Sequence, residues 1–335
     1  MSGNPAASLR VELLHCTPVF LSGLAPLVLT KKDETLVDLH HKETLEGLQR
    51  LYPRTPRSVV CFLAGNLPGT AHLHLRQLTI FGMICRLTDN ILHKHAVSFF
   101  SSGLPSSKSW FSQICSLCLQ YLLPHPLELL ESPLQKTPYK NLIKKHVINY
   151  WEQKLRSEAS PLLSLTFFRP SFMSLTRPHP IWTSAGSSPS KIAMATVQAK
   201  MCSGRYRTES LCSHWSKNRN GFCLMSPTCS TTIEDLPHIL SSCGALNSAR
   251  IKLMKFTREY SQTIPSIAHL ITNLCTPSSP DFCQFLIDCS TIPAVILATQ
   301  TQGPKVLHHL FHVTRTWVYS LHRERMKLLG RWNMH

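Results

Sequence analysis

The stretch that decides how the middle of the chain folds reads Cys223-Leu-Met-Ser-Pro-Thr-Cys229, then eight residues to His238 and four more to Cys243. Three thiols and one imidazole within 21 residues make the ligand set of a closed tetrahedral zinc site, which leaves no position for water or substrate. The gap of five residues in the first pair is wider than in common zinc fingers, but Pro227 and the adjacent serine fold such a loop back. The sequence therefore predicts a structural Zn²⁺ site at these four positions; the alternative is that some of the cysteines are ordinary core residues.

The residues around this array refine the prediction. Glu234 lies four residues before His238 and gives that segment an acidic first turn, as expected at the start of a helix. With His238 on the helix and Cys243 just past its end, the two side chains could converge on one ion. Cys212 and His214 lie close enough in sequence to compete as ligands, so the choice of the four stays open at this point.

A basic and aromatic segment precedes the array. It reads Met201-Cys-Ser-Gly-Arg-Tyr-Arg-Thr-Glu-Ser-Leu-Cys-Ser-His-Trp215, in which Arg205 and Arg207 flank Tyr206. Arginine can grip phosphate while an aromatic ring offers a base a stacking face, which suits binding of single strands without sequence preference. These three residues are predicted to contact nucleic acid; the alternative is a helix or turn packed on the zinc module.

The chain ends in a long basic segment from about residue 304 to residue 332. Apolar positions at helical spacing, such as Leu310 and Trp317, are predicted to pack it onto the body and leave the charges facing out. A basic helix of this kind can lie along phosphates, and a merely solvated face is the alternative. The predicted phosphate contacts are Arg315, Arg323, Arg325, Lys327 and Arg331.

Composition points to a polyanionic partner. Lys and Arg number 35 against 18 Asp and Glu, which gives a formal net charge of +17. RNA, DNA and an anionic membrane all match that charge, but no stretch approaches the roughly 20 apolar residues of a membrane helix, and we expect no membrane partner. The 13 cysteines are an odd number in a chain without a convincing export signal, which favours reduced thiols and metal over disulfides.

Helical periodicity dominates the rest of the chain and predicts a mostly α fold. Apolar residues recur at spacings of three and four in the segments 33–52, 71–98, 108–131, 136–158, 246–273 and 291–329. Asp33 and either Ser107 or Ser109 are candidate helix starts. The predicted organisation is a helical region 1–176, a Pro/Ser-rich linker 177–190, a zinc-binding module 191–246 and a helical region 247–335 with a basic last helix.

Recognisable catalytic motifs are missing from the sequence. No Gly-rich phosphate loop and no Gly-x-Ser-x-Gly elbow occurs. The closest acidic pairs, Asp33 with Glu34 and Glu234 with Asp235, lie at predicted helix starts, where carboxylates complement the helix dipole. We therefore expect that the chain is not an enzyme, although an active site assembled only by the fold is an alternative.

The segment from Met201 to Cys243, with Glu234-Asp-Leu-Pro-His238-Ile-Leu inside the array, resembles the zinc-binding segment downstream of the reverse transcriptase domain in non-LTR (LINE-type) retrotransposons. The resemblance extends along most of the chain. Its other stretches are Ser22-Gly-Leu-Ala-Pro26, Gly65-Asn-Leu-Pro-Gly69, Pro178-His-Pro180 and Thr316-Trp-Val-Tyr-Ser-Leu-His-Arg-Glu-Arg325.

The resemblance implies a non-catalytic region, thumb-like or linker-like at its start, that helps a polymerase hold template RNA or target DNA. The polymerase signature Tyr-x-Asp-Asp is absent, so the chain looks like a fragment or a truncated open reading frame of a polyprotein. Other readings remain: a helical protein-interaction scaffold that packed against the polymerase portion, or a relic without selected function. Charge and resemblance fit an intracellular, nuclear location, although no clean localisation run is present.

Overall fold

The computed structural model describes residues 3–102, 108–277 and 279–330. Within these ranges the regular structure is helical apart from one isolated antiparallel β-bridge, so the prediction of a mostly α fold is confirmed. The helices are α1 (Pro5–Val11), α2 (Thr17–Ser22), α3 (Lys31–Leu48), α4 (Arg57–Ala64), α5 (Gly69–Cys85), α6 (Ile91–Ser101), α7 (Trp110–Gln120), α8 (Pro126–Glu131), α9 (Lys136–Ala159), α10 (Pro180–Thr183), α11 (Pro189–Cys202), α12 (Glu209–Ser213), α13 (Asn247–Gln262), α14 (Pro265–Leu274), α15 (Phe282–Asp288), α16 (Pro293–Gln302) and α17 (Lys305–Leu328). Single π-helical turns span Glu12–Cys16 and His238–Ser242, and 3₁₀ turns span Leu163–Leu165, Pro170–Phe172, Pro227–Cys229, Gly244–Leu246 and Cys289–Thr291.

Side-chain caps fix where several helices begin. The Thr30 hydroxyl accepts from the Asp33 amide, and the Asp33 carboxylate accepts from the Thr30 amide, so a reciprocal capping box starts α3. The Ser109 side chain accepts from the Ser112 amide and starts α7. The other candidate cap, Ser107, lies outside the described residues.

Two central helices organise the packing. Helix α5 lies against α3, α7, α8 and α9, and α17 lies against α11, α13, α15 and α16. Helix α9 buries one side chain at every fourth position, from Tyr139 through Val147 to Leu155. On α17, Trp317 is fully buried and donates its indole N–H to Thr257 Oγ1 over 2.7 Å. Each such apolar side chain contributes about 1.5–3 kcal/mol on burial.

The Pro/Ser-rich segment 177–190, which is predicted as a linker, contains buried apolar side chains. Trp182 is fully buried, and its indole N–H donates to Gln49 Oε1 over 3.2 Å. Gly65 has a left-handed backbone (φ +61°), and a Cβ there would lie 1.9 Å from the Arg177 carbonyl carbon, so this close approach requires glycine. One hydrophobic cluster runs from the N-terminal helices through this segment to α17. The buried side chains of this segment therefore belong to the core, and the division into domains, including the linker, stays a prediction.

Several predicted helices are shorter than their apolar periodicity suggests. The segment 71–98 is two helices, α5 and α6, and 246–273 is divided into α13 and α14 where Pro265 begins the second. In the described part of the chain no single helix combines the length and apolar composition that a membrane span needs. One bent pair, Phe282–Thr291 with Pro293–Gln302, meets both requirements by length and composition only.

Candidate metal centre

The first two predicted ligands are brought together by a tight loop. An antiparallel bridge between Phe222 and Ile233 pairs the chain on either side of it and sets the position of Cys223. Pro227 begins a single 3₁₀ turn that ends at Cys229 and carries this thiol back toward the first one. Proline has a fixed φ and favours such a turn. The structure therefore shows the fold-back that the sequence predicts between these cysteines.

The second pair of ligands lies at the two ends of one π-helical turn. His238 begins this turn, and its backbone amide donates to the Asp235 side chain over 2.8 Å. Cys243 lies one residue past the end of the turn, and its amide donates to the His238 carbonyl over 2.8 Å. Asp235 thus caps the segment, as expected of an acid at this position.

The four side chains converge in the interior. The thiol sulfurs of Cys223, Cys229 and Cys243 and one imidazole nitrogen of His238 all lie within 4.8 Å of one another, and all four residues are buried. The Cys223 and Cys243 sulfurs are 3.9 Å apart. Two sulfurs bound to one tetrahedral Zn²⁺ at about 2.3 Å would be about 3.8 Å apart. The cluster therefore has dimensions that could hold a metal ion.

The histidine also fits such an ion. His238 Nε2 is buried and has no hydrogen-bond partner, while Nδ1 lies 3.4 Å from the Ser242 hydroxyl. A buried polar nitrogen without a partner costs about 1–3 kcal/mol, and coordination would satisfy it. A hydrogen bond to the other ring nitrogen is the usual way in which a metal-bound imidazole is oriented.

Burial and backbone amides have opposite effects on the pKa values of the thiols. Burial raises the pKa of Cys243 to about 12 and also raises the pKa of Cys223. A hydrogen bond from the Gly244 amide lowers the pKa of Cys229. The buried Arg250 guanidinium donates to the Cys243 carbonyl and brings a positive charge beside the sulfurs. If these thiols bind as thiolates, a divalent metal would supply the cation that balances their charge.

The two competing ligands do not belong to this cluster. Among the described residues it is the one group of His, Cys, Asp or Glu side chains whose ligand atoms converge in this way. Cys212 is half-buried on α12, and His214 is exposed. All thirteen cysteines are free thiols.

Glu234 has a different place from the one predicted. It is fully buried, and its Oε1 accepts from the Arg325 guanidinium over 2.5 Å and from the Glu209 amide over 3.0 Å. The prediction that it complements the dipole of the following helix is therefore wrong, because its partner is a cation on α17. This ion pair joins the Cys/His segment to the last helix.

The predicted arginine and tyrosine contacts upstream of the cluster are only partly exposed. Tyr206 is buried, and its hydroxyl lies 2.7 Å from His322 Nδ1. Arg205 is half-buried, whereas Arg207 is exposed with its guanidinium carbon 4.9 Å from the centre of the Tyr52 ring. Of the three, only Arg207 is freely placed for a phosphate.

Helix α17 buries two of its predicted phosphate contacts. Arg315 is 1% exposed and donates to the Ser184 carbonyl over 3.2 Å, and Arg325 is held by Glu234. The expectation that the charges of this helix all face out is wrong, because each of these two guanidinium groups is buried and donates to acceptors in the core. Arg323 and Lys327 are exposed, as predicted, and Arg331 lies outside the described residues.

A histidine, a carboxylate and a hydroxyl do meet in the core, but not as a catalytic relay. His179 Nε2 lies 3.3 Å from Asp288 Oδ2 and 3.4 Å from the Ser290 hydroxyl, while Nδ1 accepts from the Ile181 amide. A nucleophile and an orienting carboxylate must engage opposite ring nitrogens. Here both use the same nitrogen of a buried ring, so the group is structural.

Sequence reasoning missed two basic residues that lie near Tyr206. Arg50 follows α3 and Lys200 lies in the last turn of α11, and together with Tyr206 they line one cavity. No local pattern marks them, since they are separated by some 150 positions of chain. Comparisons with protein-family models, with curated proteins and with solved structures give no match for this chain.

Proposed function

We propose that this chain is a non-catalytic, zinc-stabilised region that binds RNA or DNA. The observation that carries the proposal is the convergence of four buried ligand atoms within 4.8 Å of one another. The net charge of +17 supports a polyanionic partner. The origin that we propose, from the resemblance of the Cys/His segment, is a non-LTR retrotransposon polyprotein, and its polymerase portion is then a further partner.

Zinc is the metal that this ligand set favours. Soft thiolates select Zn²⁺ over Mg²⁺ or Ca²⁺, and three sulfurs with one nitrogen complete a tetrahedron. No coordination position is left for a substrate, so the ion would hold the loop and the π-helical turn together. Cys223, Cys229, His238 and Cys243 would be its ligands.

Exposed cations near the module provide the proposed nucleic-acid surface. The Arg325 guanidinium donates to the Arg207 carbonyl over 3.0 Å, which ties the segment before the Cys/His cluster to α17. Arg323 and Lys327 lie within one turn of that contact and are exposed, as is Arg207. Trp215, 57% exposed, offers a ring on which a base can stack.

The test is the salt dependence of binding to a labelled single-stranded RNA, followed by fluorescence anisotropy. Binding should weaken linearly with the logarithm of salt concentration, because each neutralised phosphate releases counterions. The double variant Arg323→Gln, Lys327→Gln should reduce the slope by about 1.4, since each lost contact accounts for about 0.7 on a single strand.

The matched control removes the same charge from another helix. Lys144 and Lys145 are exposed on α9, and their double change to glutamine should leave the slope closer to that of the wild type. Zinc content of the wild type and of Cys229→Ser is measured in parallel. A folded wild type without zinc, or equal loss of slope in both double variants, would contradict the proposal.

A second candidate function, a protein-interaction scaffold, is supported by apolar side chains on the N-terminal surface. Leu122 is 82% exposed, and Leu36, Ile91 and Leu119 are each more than half exposed. Apolar side chains left at the surface are typical of a contact region when they form a continuous patch. This function predicts association that resists salt, whereas nucleic-acid binding predicts the steep loss described above.

A further inference from the structure

A cavity of about 410 Å³ lies between the turn that follows α3, helix α11 and helix α17. The side chains that give it its character are basic or aromatic: Arg50, Tyr52, Lys200, Tyr206, Tyr319 and His322. This volume lies in the range of about 300–1,000 Å³ that is typical of small-ligand sites. The cavity shares no residue with the Cys/His cluster.

Positive charge collects at this cavity without a matching carboxylate. The Lys200 ammonium lies 4.4 Å from the centre of the Tyr52 ring, and the Arg207 guanidinium carbon lies 4.9 Å from the same ring. Burial, and then the charges of Arg207 and Arg50, lower the pKa of Lys200. Among the described residues that line the cavity there is no Asp or Glu.

Arg50, Lys200 and Arg207 form no ion pair with the described part of the chain. Like charges held close together repel each other, and a bound anion would relieve that repulsion. The electrostatics of the cavity therefore match a multiply charged anion such as a phosphate group.

The end of α3 positions Arg50 beside the cavity. Arg50 follows the C-cap residue of α3 and has φ 53°, a left-handed conformation that glycine adopts most easily. An arginine in that conformation costs about 1–2 kcal/mol relative to glycine. The conformation ends α3, since the Arg50 amide donates to the Gly47 carbonyl over 3.0 Å and the Leu51 amide to the Glu46 carbonyl over 3.1 Å.

We infer that this cavity binds a nucleotide, with its phosphate on Arg50 and Lys200 and its base against the aromatic wall. Tyr319 and His322 are partly exposed and provide that wall, whereas the Tyr52 ring lies against the Lys200 ammonium. A planar base stacks on aromatic rings, whereas a phosphate alone would use only the cations. The inference goes beyond the proposed function and does not depend on zinc.

The test uses the full zinc-loaded chain, adenosine 5′-monophosphate and isothermal titration at low ionic strength. One nucleotide should bind per chain. Adenosine, which lacks the phosphate, and inorganic phosphate, which lacks the base, should each bind about tenfold or more weakly, the effect of losing one good contact to a charged group.

Two variants and one control assign the site. Arg50→Gly and Lys200→Met should each weaken nucleotide binding about tenfold or more. Arg54 is exposed, has φ 67° and does not line the cavity, so Arg54→Gly removes the same charge from the same kind of backbone. Its affinity should stay within about twofold of the wild type.

Stability separates a binding role from a structural one. Arg50→Gly should unfold at the same or a higher denaturant concentration than the wild type, because glycine fits a left-handed backbone. Loss of binding with retained stability supports the inference. No binding to the wild type, or equal affinity in Arg50→Gly and Arg54→Gly, overturns it.

A competition experiment identifies the source of the nucleotide. If a short single strand with a 5′-phosphate displaces adenosine 5′-monophosphate, the cavity takes a strand end, and if it does not, the cavity takes a free nucleotide. Both results support the inference. RNA binding that persists in Arg50→Gly together with unchanged nucleotide affinity would overturn the inference alone and leave the proposed function standing.

Discussion

Two buried polar clusters in this chain differ in whether their polar atoms have hydrogen-bond partners. In the N-terminal helices, Glu34 of α3, His74 of α5, Tyr121 and Trp151 of α9 form a chain of contacts. In the C-terminal half, three cysteine sulfurs and one His238 nitrogen lie within 4.8 Å of one another. There His238 Nε2 has no hydrogen-bond partner. The first cluster is satisfied by protein groups, and the second is not.

The N-terminal network can be followed atom by atom. The Trp151 indole N–H donates to the Tyr121 hydroxyl over 3.0 Å, and that hydroxyl lies 2.6 Å from His74 Nδ1. His74 Nε2 lies 3.3 Å from Glu34 Oε1, and the Lys31 ammonium donates to Glu34 Oε2 over 2.8 Å. With the imidazole proton on Nε2, each group has a partner. This cluster therefore needs no added ligand.

The difference shows which buried cluster could hold an ion. His238 Nε2 has no hydrogen-bond partner, and burial raises the pKa values of Cys223 and Cys243. Buried polar groups are normally paired, so an unpaired nitrogen beside three sulfurs indicates a missing partner. Removing the metal or a single partner tests this contrast.

Metal removal should affect the two clusters very differently. Structural zinc contributes about 10–16 kcal/mol of apparent binding free energy in small zinc fingers, so chelation should unfold the segment around Cys223 and Cys243. Cys229→Ser should have the same effect, because it removes one ligand. Hydrogen exchange should show lost protection in residues 221–246, with amides of α5 and α9 still protected.

Cys212→Ser is the matched control for that measurement. Cys212 is a half-buried thiol outside the cluster, and its loss should leave both metal content and amide protection unchanged. Equal loss of protection in Cys212→Ser and Cys229→Ser would show that the contrast between the two clusters is mistaken.

The next largest effect concerns the ion pair that joins the module to α17. Arg325 and Glu234 are both buried, and removal of one partner leaves an uncompensated charge that costs about 3–5 kcal/mol. Arg325→Met should therefore lower the free energy of unfolding by that amount in denaturant titrations. Adding Glu234→Gln should recover part of the loss, because the amide is neutral and keeps an oxygen for the Glu209 N–H.

No recovery in the double variant would show that Arg325 stabilises α17 by packing and not by its charge. The guanidinium lies 5.5 Å from the centre of the Tyr206 ring, so such packing exists. The double-mutant cycle separates the two contributions.

Features that depend on residues close together in the sequence could be predicted from the sequence. Helix α9 runs from Lys136 to Ala159, close to the predicted 136–158, because an uninterrupted stripe of apolar residues at four-residue spacing specifies one helix. The convergence of the four candidate ligands could be predicted because they fall within 21 residues. The split of 246–273 was not predicted, although Pro265 marks it, since proline lacks the N–H that helix continuation needs.

Features that depend on distant partners could not be predicted. Arg315 and Arg325 look like solvent-facing charges on a basic helix, but their acceptors, Ser184 and Glu234, lie 131 and 91 positions away in the sequence. The core position of Trp182 has the same cause, because Gln49 is 133 positions away. Only the fold brings these partners together.

The smallest effect that we predict is the acid response of the N-terminal network. Burial alone would favour the protonated acid, but hydrogen bonds from His74 and Lys31 lower the pKa of Glu34 from 4.5 to about 2. A carboxyl whose pKa is lowered by folding stabilises the fold above its unfolded value, and this stabilisation disappears as the pH falls through the folded value. The contribution of Glu34 should therefore be complete above about pH 4.5 and lost toward pH 2.

After screening by solvent, we expect this contribution to be about 1–2 kcal/mol. Glu34→Gln should remove it, so the difference in unfolding free energy between wild type and variant should shrink as the pH falls from 4.5 to 2. Urea titrations at several pH values measure that difference directly. A difference independent of pH would mean that Glu34 stabilises α3 by packing alone. The stability of the N-terminal cluster would then not depend on the charge of this carboxylate, although its hydrogen bonds would still distinguish it from the Cys/His cluster.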